Sequence, residues 1–202
     1  MKLSKILAPL LALCLFASTA CASTFIDAHG NEIQLDDSLE AYAAVTLVGA
    51  NDAARQGETN LGDLWTDALR WFAVSGEINA AFDEDDVKAG NDHIAVDADH
   101  VVALWNGGNL RADIAEGTFG AEALAEVLPF PNKVAVVYMS GAQLLEALEA
   151  ASQALPYTAE TADACASLMQ VSGLTYTVDT AKAYDALEAY GDHWFTAGSV
   201  SR

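Results

Sequence analysis

Apolar positions recur at helical spacing most clearly between Glu58 and Ala73, where Leu61, Leu64, Trp65, Ala68, Leu69 and Phe72 fall on one stripe. Thr59 or Asn60 stands where a cap is needed, so the pattern predicts a helix with one buried face. A shorter stripe from Ala121 to Val127 predicts a second helix, which must stop before Leu128-Pro129-Phe130-Pro131 because two prolines enforce an extended or turning path. Val101 to Trp105 and Lys133 to Met139 are near-continuous apolar runs and predict strands; the first leads into Asn106-Gly107-Gly108-Asn109. After the second, Ser140-Gly141-Ala142-Gln143 has the form of a capping box, with Leu144, Leu145 and Leu148 marking the inner face of a helix.

Weaker patterns complete the chain. Thr24 to Leu35 alternates around His29-Gly30-Asn31 and predicts a small hairpin, followed by an acidic stretch from Asp36 to Ala44. Val74 to Asp92, with Gly76, Gly90 and the run Asp83-Glu84-Asp85-Asp86, predicts a solvated loop. Leu168 to Val178 predicts a strand or hairpin through Gly173, and Asp192 to Thr196 one more short strand. Strands and helices mixed without a regular βαβ alternation predict an α+β fold, a mixed sheet with packed helices.

The first residues carry a different signal. Lys2 and Lys5 precede an apolar run from Ile6 to Ala17, and Ala20 and Ala22 form an A-x-A site, which predicts a secretory signal peptide over residues 1–22. The run is too short to span a bilayer, so the expected product is exported, periplasmic or extracellular. Cys21, after Ser18-Thr19-Ala20, offers lipid anchoring as an alternative, although the usual Leu three positions earlier is absent. Residues 23–54 read as an appendage and 55–202 as the main domain. Cleavage after Ala22 would leave Cys165 as a lone thiol, without an internal disulfide partner.

Charge narrows the function classes. With 9 Lys plus Arg against 29 Asp plus Glu, the net charge is -20, which excludes a nucleic-acid backbone binder. Cations are so scarce that Arg55 and Arg111 become informative: each could clasp a phosphate or carboxylate, or pair with a nearby Asp. Asn106, at a strand end before Gly107 and Gly108, could offer its amide to a ligand edge or close a local turn. Phe130, between prolines, could stack on a base or fill the core. His29, His93, His100 and His193 are scattered, and no Cys/His pair has metal-ligand spacing.

Taken in order, Arg55-x-x-Glu58-Thr59-Asn60-Leu61-Gly62-Asp63-Leu64, Asn106-Gly107-Gly108-x-x-Arg111-Ala112-Asp113-Ile114, Leu128-Pro129-Phe130-x-Asn132, Ser140-Gly141-Ala142-Gln143-Leu144 and Val171-Ser172-Gly173-Leu174 resemble the C-terminal domain of 5'-nucleotidases. The resemblance runs from about Arg55 to Arg202. It implies a domain that holds the nucleoside part of a nucleotide, while a separate metallophosphoesterase domain supplies two metal ions and the attacking water. It places Phe130 as a base-stacking ring and Asn106 and Arg111 on a nucleoside or nucleoside 5'-monophosphate; Arg55, Gly107 and Gly108 complete the expected substrate-binding set, with no catalytic residue, metal or cofactor expected in this chain.

There are departures from the family's pattern. Gly57 stands where many members have a second Arg, Asn109 replaces a third glycine, and Pro131 replaces the Gly after Phe130. Gly198 to Arg202 resembles text that precedes the family's last strands, with a second stacking aromatic and a ribose-binding Asp, so those strands are expected to be missing. Asp27-Ala28-His29 copies the D-x-H that opens a metallophosphoesterase, yet no GD-x-x-D or GNH element follows. The expectation is an exported nucleotide-recognition domain associated with nucleotide catabolism and not catalytic alone. The alternatives are a non-binding remnant or acidic interaction module, and the substrate-binding half of a hydrolase whose metal domain is a partner chain.

Overall fold

The computed structural model describes residues 40–182 except Asp83, Asn91 and Asp92, together with the backbone of residues 23–26, 32–35, 186–189 and 196–198. In chain order the elements are β1 (Ser23–Ile26), β2 (Glu32–Leu35), β3 (Ala41–Ala43), α1 (Asn51–Ala54), α2 (Asn60–Val74), α3 (Glu84–Lys88), β4 (Ala103–Asn106), β5 (Gly117–Phe119), α4 (Ala121–Val127), α5 (Gly141–Ser152), β6 (Met169–Ser172), β7 (Ala186–Ala189) and β8 (Thr196–Gly198). Short 3-10 turns intervene, among them Glu77–Ala81, Gly107–Asn109 and Ala164–Ser167. The α+β class holds. The strands are distributed over two-stranded antiparallel ladders, β1 with β2, β3 with β5, β4 with β6 and β7 with β8, instead of being gathered in one sheet.

The longest helix forms where the stripe predicts it. Thr59, in extended conformation, accepts a hydrogen bond from the Gly62 amide at 3.1 Å and caps α2, a contact worth about 1 kcal/mol. Leu61 and Phe72 on its inner face are 2% exposed. Each such side chain contributes roughly 1.5–3 kcal/mol of burial. Leu61 joins a core built on Ala43, Ala54, Leu110, Ile114 and Val127, with Leu64, Trp105, Phe119 and Leu128 packed around it. Trp65 of α2 meets Trp105 of β4 edge to face, ring centroids 5.4 Å apart. The boundary expected after residue 54 cuts through this packing, since β3 pairs with β5 and Ala43 and Ala54 lie in the core.

The hairpin of β1 and β2, the α4 span and the capping box of α5 match expectation: Ser140 Oγ accepts from the Gln143 amide, and Gln143 Oε1 accepts from the Ser140 amide at 2.8 Å. Four expectations need correction. The acidic loop carries α3, because Glu84, Asp85 and Asp86 lie in its first turn and Lys88 in its last, which suits the helix dipole. Lys88 also reaches Glu84 at 3.8 Å and Asp85 at 3.1 Å, and α3 buries nothing. Lys133 to Met139 is not a strand: apolar composition alone cannot make one without a ladder partner, and Val137 and Tyr138 are 66% and 77% exposed. Leu145 is exposed, because the buried face of α5 lies toward its end, at Leu148 to Ser152. The run through Gly173 stops being a strand at Ser172, where Gly173 turns the backbone at a φ of 84°. Residues 1–22, with the expected signal peptide and Cys21, and most of Asp192 to Thr196 lie outside the described residues.

Candidate functional site

The Asn106-Gly107-Gly108-Asn109 turn sits where β4 ends, and its two glycines are buried for a steric reason. A Cβ on Gly107 would run into the Ala54 carbonyl at the end of α1, and one on Gly108 into the Ala166 Cβ and the backbone behind it. Close approach of three chain segments therefore selects glycine here. The Gly107 amide donates to the Leu168 carbonyl at 2.8 Å. Asn106 donates through Nδ2 to the Ala166 carbonyl at 3.1 Å and accepts from Asn109 Nδ2 at 2.8 Å. The local turn reading of Asn106 is thus realised in the structure.

Arg55 docks on the same 162–166 segment from the other side. Its Nη1 donates to the Ala162 carbonyl at 2.8 Å and to Asp163 Oδ1 at 3.3 Å, with the side chain 13% exposed and the Asp163 carboxylate fully in solvent. Its Nε is buried without a hydrogen-bond partner. The guanidinium is committed to holding the segment after residue 160 against α1.

Arg111 and Phe130 form the exposed end of the cluster. Arg111 Nη1 donates to the Gly108 carbonyl at 3.1 Å, and its amide donates to the Val127 carbonyl at 2.9 Å, at the end of α4. The prolines at 129 and 131 then bring Phe130 beneath the guanidinium, whose Cζ lies 5.7 Å from the ring centroid. Phe130 is 47% exposed. Of the six expected residues, Gly108, Arg111 and Phe130 are linked contact by contact, Asn106 and Gly107 bind the neighbouring carbonyls of Ala166 and Leu168, and Arg55 is set apart, bound to residues 162–163.

Several residues of this scaffold carried no functional reading in the sequence. Gln170, 1% exposed on β6, accepts from the Thr59 amide at 3.0 Å and donates to the Ala54 and Gly57 carbonyls at 3.1 and 2.9 Å. It ties the Arg55–Thr59 segment to the β4–β6 ladder. The sequence carries no signal for it: the alternation Met169-Gln170-Val171-Ser172 would put Gln170 on the solvent face, whereas the structure buries the Gln170 and Ser172 face. Asp113 accepts from the amides of Gly49 and Ala50, both at 2.8 Å, and so fixes the entry to α1. Asn60 accepts from the Val48 amide and donates to the Thr46 carbonyl, bracing the same segment.

Electrostatics at the start of α2 oppose a second anion. The Asp63 carboxyl is pushed up to about 6, first by burial and then by the neighbouring charges of Glu58 and Asp67. Among the described residues no group of three or more His, Cys, Asp or Glu could hold a metal ion, and no helix is long and apolar enough to cross a membrane. Cys165 is buried, its thiol directed at the Ala154 carbonyl.

A family model described as 5'-nucleotidase, C-terminal domain, matches residues 21–193. The trifunctional nucleotide phosphoesterase protein YfkN of Bacillus subtilis (strain 168) is 28% identical over 153 residues, 75% of this chain and 9% of that protein. The crystal structure of a 5'-nucleotidase precursor from Thermus thermophilus superposes with a TM-score of 0.52 at 27% identity, covering 81% of this chain and 28% of that one. The chain thus spans less than a third of either relative.

Proposed function

The chain belongs to the 5'-nucleotidase C-terminal domain family, and from that premise we propose that it is an exported nucleotide-recognition domain. It takes a nucleoside or nucleoside 5'-monophosphate and belongs to nucleotide catabolism. The observation that carries this reading is the exposed Arg111–Phe130 pair seated on the Asn106–Gly108 turn. A half-exposed aromatic ring offers a base roughly 1–3 kcal/mol of stacking, and a guanidinium beside it suits a phosphate. Asn106 and the buried glycines hold that pair in place. The export part of the proposal rests on Lys2, Lys5, the apolar run and Ala20-x-Ala22.

Chemical-shift mapping with adenosine tests the site. The perturbations are expected to centre on Phe130, Arg111 and Gly108; shifts confined to another region, or none at millimolar ligand, would contradict the assignment. Phosphate-ester hydrolysis is assigned, as the family resemblance implies, to a separate metallophosphoesterase domain, whose two metal ions would activate water. Purified chain is expected to release no phosphate from AMP with Mn²⁺, Co²⁺ or Zn²⁺. Metal-dependent turnover that persists through purification would overturn that division of labour.

A further inference from the structure

Arg111 and Phe130 touch each other, and each is also what a nucleotide would seek. The guanidinium carbon lies 5.7 Å from the ring centroid, while Nη1 is held by the Gly108 carbonyl at 3.1 Å. A cation over an aromatic face is bound by the ring quadrupole and covers that face against a flat ligand. The same guanidinium is the fork that a phosphate would engage, and a bidentate charge-assisted contact is stronger than an exposed cation–π contact. One side chain therefore faces two competing partners.

We infer that Arg111 is shared between the Phe130 ring and the ligand's phosphate: it steadies the ring for an uncharged nucleoside and leaves it for a 5'-monophosphate. This rests on the nucleoside-site reading above and adds the coupling between the two halves of the ligand. With Arg111 on one face, the ring is held in a single orientation and the base stacks on the other, so less side-chain freedom is lost on binding. When phosphate draws Arg111 away, that support goes with it. Base stacking and phosphate contact are then worth less together than each is alone.

A double-mutant cycle of Arg111→Ala and Phe130→Ala, read as adenosine and AMP affinities, tests this. Both side chains are exposed, so both variants are expected to fold; Phe130→Leu provides a second background that keeps bulk without a ring. Arg111→Ala is expected to weaken adenosine about two- to fivefold, the equivalent of about 0.5–1 kcal/mol, when Phe130 is present. In either Phe130 variant it should leave adenosine unchanged. For AMP the order reverses: removing Arg111 should cost at least about twofold more in the Phe130 variants, where the guanidinium has no ring to leave. The Arg111 Hδ protons should be shifted upfield by the ring in unliganded protein and with adenosine, and lose that shift with AMP. An adenosine affinity indifferent to Arg111, or the same Arg111 penalty on AMP in all backgrounds, would overturn the inference while leaving a Phe130-dependent nucleoside site standing. No binding of either ligand to the unaltered chain would remove both.

Discussion

Gly107 has no room for a side chain, because a Cβ would strike the Ala54 carbonyl, and that backbone oxygen cannot swing aside as a flexible side chain would. Gly107→Ala is expected to cost about 2–3 kcal/mol and lower the thermal midpoint by about 5–10 °C in a melting scan. Gly57→Ala is the control, since nothing lies within 4 Å of a Cβ there. Gln170→Leu keeps similar volume but strands the Thr59 amide and two carbonyls, and should cost about 3 kcal/mol in denaturant unfolding. At this scale the sequence was legible where chemistry is local. The Thr59 cap and the Ser140–Gln143 box can be read from neighbours in the chain. The anchors of Arg55 at residues 162–163 and of Gln170 at residues 54–59 cannot, because each joins positions more than a hundred residues apart.

Among elements, α2 carries the strongest pH signal. Asp63 titrates at about 6 in the folded chain against an ordinary value of 3.8, so the folded state holds its proton more tightly than the unfolded one. Stability from this group should therefore rise as pH falls from about 6 toward 4, and be lost as pH rises through 6. Asp63→Asn should flatten the dependence of the thermal midpoint on pH over that window and raise the midpoint near pH 7.5. A steeper dependence in the variant would contradict the assignment. Helices were legible here because their period lies within a short window, as α2 and α4 demonstrate. Strands were less so: Lys133 to Met139 has the composition of one, and only a paired neighbour elsewhere in the chain decides the matter. The α3 helix is not legible in the pattern because it has no apolar stripe and is favoured by charge placement at its two ends.

For the whole molecule, the net charge of -20 opposes an anionic nucleotide at long range, while Arg111 attracts it only locally. Raising ionic strength from about 20 to 200 mM shortens the screening length below the size of the domain but leaves a direct contact largely intact. AMP binding is accordingly expected to strengthen with added salt, by about twofold, the reverse of ordinary Arg–phosphate behaviour, whereas adenosine binding should not change. The family's order of motifs made the class readable, while the contacts made by the candidate residues Asn106, Arg111 and Phe130 required the fold. The most direct test of the nucleoside site is the adenosine dissociation constant of the unaltered chain compared with Phe130→Ala. The account predicts a value on the order of 0.1–10 mM, about 3–5 kcal/mol of binding, weakened at least about fivefold by loss of the ring, consistent with stacking of about 1 kcal/mol or more. Equal affinities in the two proteins, or no adenosine binding to the unaltered chain, would contradict it.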